Sequence, residues 1–99
     1  MTVWFVSRHR GARTWAARQH INVDRQTEHL DPRMVRQGDT VIGSLPVHLA
    51  AEICARGARY LHLRIDTPPE YRGRELSASD LERFGARLEP YRITTEAPE

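Results

Sequence analysis

The stretch Thr2-Val3-Trp4-Phe5-Val6-Ser7-Arg8-His9-Arg10-Gly11-Ala12 constrains this chain more than any other. Val3 and Phe5 alternate with Trp4 and Val6, so both faces are apolar and residues 2–7 read as a strand covered on both sides. The run stops at a polar and cationic cluster, and Gly11-Ala12 opens a helix expected over 11–19, with Ala12, Trp15 and Ala16 on its inner face. A strand that turns directly into a helix aims backbone N–H groups and the positive end of the helix dipole at one point. Ser7, Arg8, His9 and Arg10 surround that point. The ligand this stretch predicts is a small anion.

The same rhythm recurs downstream. A weaker strand is expected within 21–29, and Asp31-Pro32 begins a turn or short helix that ends near Gly38. Thr40–Gly43 reads as a third strand. Ser44 is the expected N-cap of the next helix, with Pro46 near its first position, where a missing N–H costs nothing. That helix would bury a stripe of Val47, Ala50, Ala51 and Cys54 and stop at Gly57. Residues 59–66 alternate as a half-exposed strand does, with His62 on the polar face. Residues 67–74 contain Pro68-Pro69 and read as a loop. Ser79 with Glu82 gives a capping-box pattern for a short helix through Leu81 and Phe84, ended by Gly85. Residues 87–94 read as a strand at the sheet edge. The expectation is a single α/β domain over residues 1–94, Rossmann-like, with a mostly parallel sheet flanked by helices and a frayed tail over 95–99.

Composition narrows the function classes. No apolar run among the 99 residues is long enough to span a bilayer, and the N-terminus lacks the charged and then apolar pattern of a signal peptide. The single cysteine, Cys54, has no internal disulfide partner and reads as a core position. A cytoplasmic protein without membrane contact is expected. The formal net charge of +2 is too small to argue for duplex DNA, yet its placement is uneven. All 15 cationic side chains are arginine, and no acidic residue precedes Asp24, whereas Arg8, Arg10, Arg13 and Arg18 do. Genome base composition explains most of the missing lysine but not the position of the arginines. The arginine fork grips phosphate or carboxylate bidentately.

In parallel α/β sheets the ligand crevice lies beyond the carboxyl ends of the strands, where the strand order reverses. Ser7–Gly11 and Gly43-Ser44-Leu45-Pro46 both have the chemistry for that edge. If their strands are neighbours, two helix starts and two serine hydroxyls converge on one crevice. Neither GxGxxG nor the P-loop lysine is present, so no dinucleotide cofactor or nucleoside triphosphatase is supported. Glu28, His29 and Asp31 resemble a metal cluster on paper, but their adjacent spacing sends the side chains apart, and no metal site is expected.

The segments Val3–His9 with Gly11-Ala12, His29-Leu30-Asp31, Gly38–Pro46 with Leu49–Glu52, and Arg72–Ser77 resemble the small CRISPR-associated accessory proteins of type III systems, specifically the Csx-class family numbered sixteen. The resemblance runs to about Ile93. It implies a fold similar to the sensor domains that bind cyclic oligoadenylates. It also implies ring-nuclease activity, which linearises that messenger and switches off antiviral signalling. Metal-independent attack by a ribose 2′-OH suits the residues at these positions. His9 would be general acid or base, Arg8 would stabilise the phosphorane, and Ser7 would orient nonbridging oxygens. Arg10, Gly11, Gly43, Ser44, Leu45 and Pro46 would bind ligand, and Tyr71, Arg72 and Arg74 would form a lid over it. The symmetry of a cyclic tetra-adenylate implies a two-fold homodimer. Two other readings stay open: a non-catalytic sponge or sensor of the same messenger, and an interaction subunit for protein or guide RNA.

Overall fold

An unbroken apolar run places β1, Val3–Val6, inside a five-stranded sheet, between two neighbouring strands. The computed structural model describes residues 1–96; within the tail expected over 95–99, residues 95 and 96 are exposed and 97–99 lie outside the described residues. The remaining strands are β2, Arg25–Thr27; β3, Thr40–Gly43; β4, Arg59–Arg64; and β5, Arg87–Tyr91. Three helices join them: α1, Arg10–Arg18; α2, Val47–Ala55; and α3, Ala78–Arg83. The order is β2-β1-β3-β4-β5, with β1 to β4 parallel and β5 antiparallel at the edge. This is a doubly wound α/β sheet of Rossmann-like type, and its switch point lies between β1 and β3.

Both faces of the sheet are covered, as the sequence of β1 requires. Phe5, Ile42 and Leu63 pack against Ala12, Trp15 and Ala16 of α1 and Ala78 and Leu81 of α3. Trp4, Val41 and Tyr60 pack against Ala50 and Ile53 of α2. One buried carboxylate locks the amino end of the sheet. Asp39 accepts from the backbone N–H of Thr2 and Arg36 and from the Trp4 indole, at 2.9, 3.0 and 3.2 Å. Chiefly the Thr2 N–H holds the Asp39 carboxyl below its usual range, while burial opposes the shift.

Four local expectations are corrected. Ser44 does not cap α2; Pro46 is the N-cap residue, and the Ser44 hydroxyl instead donates to the Leu63 carbonyl at 2.7 Å. The buried stripe of α2 is Ala50 and Ile53, and Val47 is 69% exposed. The capping box of α3 lies two residues earlier, between Ser77 and Asp80. Starting there lets Ala78 and Leu81 both face the core. His62, expected on a polar face, is half-buried: its ring stacks on Tyr91 and its Nδ1 lies 2.7 Å from the Tyr60 hydroxyl.

Candidate functional site

Because β1 and β3 are paired in parallel, with Val6 opposite Gly43, the two expected loops emerge side by side at the carboxyl edge. They border a cleft of about 700 Å³, within the range of small-molecule sites. Ser7, Arg8 and His9 line it from the β1–α1 loop, and Ser44, Leu45 and Pro46 line it from the β3–α2 loop. Tyr71, Arg72 and Arg74 close it from the loop after β4, which winds through one 3₁₀ turn at Pro69–Tyr71. Nine of the twelve anticipated side chains therefore share one cavity.

The other three do not. Gly11 is buried, and a Cβ there would meet the Leu76 carbonyl oxygen at 2.0 Å. Its small size permits α1 to approach the segment before α3. Arg10 faces a separate shallow groove with Thr14, Arg18 and Ser77. Gly43 ends β3 beside Val6, and a Cβ there would meet the Val6 carbonyl oxygen at 2.6 Å. It keeps the two central strands close at the switch point.

Cations predominate at the rim, where Glu28 is the single carboxylate among the described lining residues. Arg8, Arg72 and Arg74 make no ion pair among the described residues, and neither α1 nor α2 carries an acid in its first turn. Two uncompensated helix starts thus add their partial positive charge to three free guanidinium groups. The β1–α1 loop is held by Ser7, whose Oγ accepts from the His9 N–H at 3.1 Å. The Ser7 hydroxyl proton stays available to a ligand, whereas that of Ser44 is engaged by Leu63. The β3–α2 loop is held from below: the Leu45 N–H donates to the Tyr60 hydroxyl at 3.0 Å, and that hydroxyl lies 3.0 Å from the Gly43 carbonyl. Burial pushes the Tyr60 phenol up, so it stays neutral. Tyr71 is less free than a lid residue would be. Its ring packs edge-on against Phe84 with centroids 4.9 Å apart, and its hydroxyl accepts from Arg83 at 3.1 Å.

Sequence reasoning set aside two residues that the fold brings in. Glu28 and His29 follow the last residue of β2 and line the same cleft. Asp31 does not join them; it is bound to Arg33, which holds its carboxyl below the usual range. Among the described residues, no group of three or more histidine, cysteine, aspartate or glutamate side chains is placed to hold a metal ion. The signal for Glu28 and His29 was topological. Once β2 is paired in parallel beside β1, the residues after Thr27 share an edge with Ser7–His9. No helix among the described residues is long and apolar enough to cross a membrane.

Comparison with known proteins identifies a family. A family model described as "Putative CRISPR-associated protein (Cas_VVA1548)" matches residues 4–94, a span that takes in all of the sheet but Val3 and the whole cleft. Neither a search of curated proteins nor one of solved structures found a match to the chain.

Proposed function

The chain belongs to this family of CRISPR-associated proteins, and from that premise we propose that it is a ring nuclease of type III systems, linearising a cyclic oligoadenylate and so ending antiviral signalling. The observation that carries the reading is the rim itself. Three arginines without an ion-pair partner among the described residues, two histidines and two helix starts meet, against the single carboxylate of Glu28, in one cleft at the switch point of a parallel sheet. Such a site suits a phosphodiester better than a carboxylate metabolite, because several cationic donors must be satisfied at once.

The substrate brings its own nucleophile. In a 3′,5′-linked oligoadenylate each ribose 2′-OH lies beside the phosphorus it can attack, giving a 2′,3′-cyclic phosphate and a free 5′-OH. Holding the attacking oxygen, the phosphorus and the leaving oxygen in line supplies a large share of the acceleration. Arg8 and the N–H groups of the α1 start would stabilise charge on the phosphorane, and the Ser7 hydroxyl would fix a nonbridging oxygen. His9 would transfer a proton to or from a ribose oxygen. A ring of four nucleotides exceeds one open cleft of about 700 Å³, and a two-fold pair of protomers would present the cleft twice to a symmetric ligand.

Incubating pure protein with labelled cyclic tetra-adenylate in EDTA tests the reading. Linear product with a cyclic phosphate end is the expected result. Ring that is bound but intact would instead mean a sponge or sensor, and no binding at low salt would leave an interaction subunit.

A further inference from the structure

An in-line displacement sets a requirement that one histidine does not meet. The entering 2′-oxygen and the departing 5′-oxygen occupy opposite apices of the phosphorane. A side chain within about 3 Å of one apex is out of reach of the other. Two proton-transfer groups are therefore needed, one to accept and one to donate. The side chains that border the cleft limit the choice. Arginines stay protonated at any physiological pH, so Arg8, Arg72 and Arg74 move no proton. The Tyr71 hydroxyl is held by Arg83. The β3–α2 loop contributes Ser44, Leu45 and Pro46, none of which titrates in this range. Glu28 and His29 are what remain.

We propose that His29 is the second proton-transfer group of the cleft and acts as a pair with His9; the inference rests on the ring-nuclease reading above. Both imidazoles are exposed, border the same cavity and make no hydrogen bond to another described side chain. One continuous set of bonds fixes their backbones relative to each other. The His9 N–H donates to Ser7 Oγ at 3.1 Å, the Ser7 N–H donates to the Thr27 carbonyl at 3.0 Å, and Thr27 Oγ1 donates to the His29 carbonyl at 2.7 Å. Ser7 and Thr27 thus tie the ends of β1 and β2 into one frame that carries both rings. An imidazole also suits the task better than the neighbouring carboxylate of Glu28. It exists in both protonation states near neutrality, whereas a carboxylate is ionised there, donates no proton and lies unfavourably beside phosphate.

The step balances without a co-reactant. One neutral imidazole takes the proton from the 2′-OH as the O2′–P bond forms. The other, entering as imidazolium, delivers its proton to the 5′-oxygen as the P–O5′ bond breaks. The pair ends in the reverse protonation state and re-equilibrates with water.

The test is the pH–rate profile for cleavage of cyclic tetra-adenylate by the full chain and by His29→Ala, His29→Gln and Glu28→Gln, with binding measured in parallel. The wild type should show two limbs, each imposed by one imidazole. His29→Ala and His29→Gln should both lose one limb and about 10²- to 10⁴-fold in rate at the optimum, with binding changed less than tenfold. Glu28→Gln should keep both limbs. Exogenous imidazole should restore part of the His29→Ala rate. If the wild type cuts and both His29 variants keep its rate and both limbs, His29 is not the partner, and the ring-nuclease reading survives. Loss of a limb in Glu28→Gln but not in the His29 variants would assign the role to the carboxylate and overturn the proposal. A wild type that binds the ring without cutting it overturns both.

Discussion

The cleft rim and the β4–β5 surface are both rich in arginine, and they treat it in opposite ways. On β4–β5, Arg64 lies 3.3 Å from Glu89 and 3.6 Å from Asp66, while Arg87 lies 3.1 Å from Asp66 and 3.7 Å from Glu89. Two cations and two anions close a neutral square there. At the rim, Arg8 and Arg72 meet no carboxylate among the described residues, and Arg74 only lies over the Tyr71 ring at 5.5 Å. Leaving like charges together without compensation disfavours the folded chain through mutual repulsion. The contrast separates charges that serve the fold's surface from charges that await a partner. Substitutions should therefore dissociate cleanly: rim changes should act on ligand, and β4–β5 changes on stability.

The sharpest way to break that division is His9→Ala. Proton transfer by a positioned side chain contributes about 10²- to 10⁴-fold, so cleavage of cyclic tetra-adenylate should fall by that range. Binding and the unfolding midpoint should stay nearly constant, because the His9 ring makes no hydrogen bond to another described side chain and the loop is held through its backbone N–H. A modest rate loss with an unchanged pH profile would leave catalysis to enforced geometry, Arg8 and Ser7.

Arg8→Ala should come next in size. A charge-assisted phosphate contact of about 2–3 kcal/mol corresponds to a roughly 30- to 150-fold loss of affinity for cyclic tetra-adenylate. Affinity should decline with salt in the wild type and less steeply in the variant, which titration calorimetry at two ionic strengths would show. Unchanged affinity would mean that the anion sits elsewhere and would erase the contrast between the two regions.

How much of this was legible beforehand follows from what each signal measures. Apolar periodicity reports burial, and it located the buried strands β1, β3 and β4 and the helices α1 and α2, including the pairing-ready run at Val3–Val6. Capping signals report only local chemistry. Ser44 was available as a cap, but its hydroxyl finds the Leu63 carbonyl across the sheet, a partner that exists only once β3 and β4 are paired. For the same reason Ser77, rather than Ser79, starts α3: packing of Ala78 and Leu81 selects between two adequate local patterns. In the site, residues at the ends of strong strands were found from the turn chemistry. Glu28 and His29 were not, because β2 has three residues, and the position of its end emerges only from pairing with β1. The turn chemistry marks Gly11 as a ligand-binding glycine, and packing adds a reason that the sequence does not show: its missing side chain permits the approach of α1 to Leu76. Sequence shows that a glycine is needed, not which neighbour requires it.

The smallest expected effect tests the other half of the comparison. The Tyr91 hydroxyl, and then Arg64, hold the Glu89 carboxyl below its usual range. A carboxylate with a depressed folded-state pKa adds stability that is complete above its unfolded-state value. That stability is lost as pH falls through the folded one. Glu89→Gln should accordingly lower the melting temperature slightly at neutral pH and not at all in strong acid. The neutral-pH difference should shrink in high salt, because Glu89 is half-buried at most, its partners Arg64 and Tyr91 are exposed, and their attraction is screened. Asp39 is the internal control. Its carboxyl is also depressed but only 4% exposed, and its partners are two N–H groups and an indole rather than a mobile cation. Asp39→Asn should show a larger loss on the same neutral-to-acid scale, and salt should leave it in place. Cleavage should survive Glu89→Gln intact. If it did not, the neutral square would belong to the site, and the two arginine regions would be one.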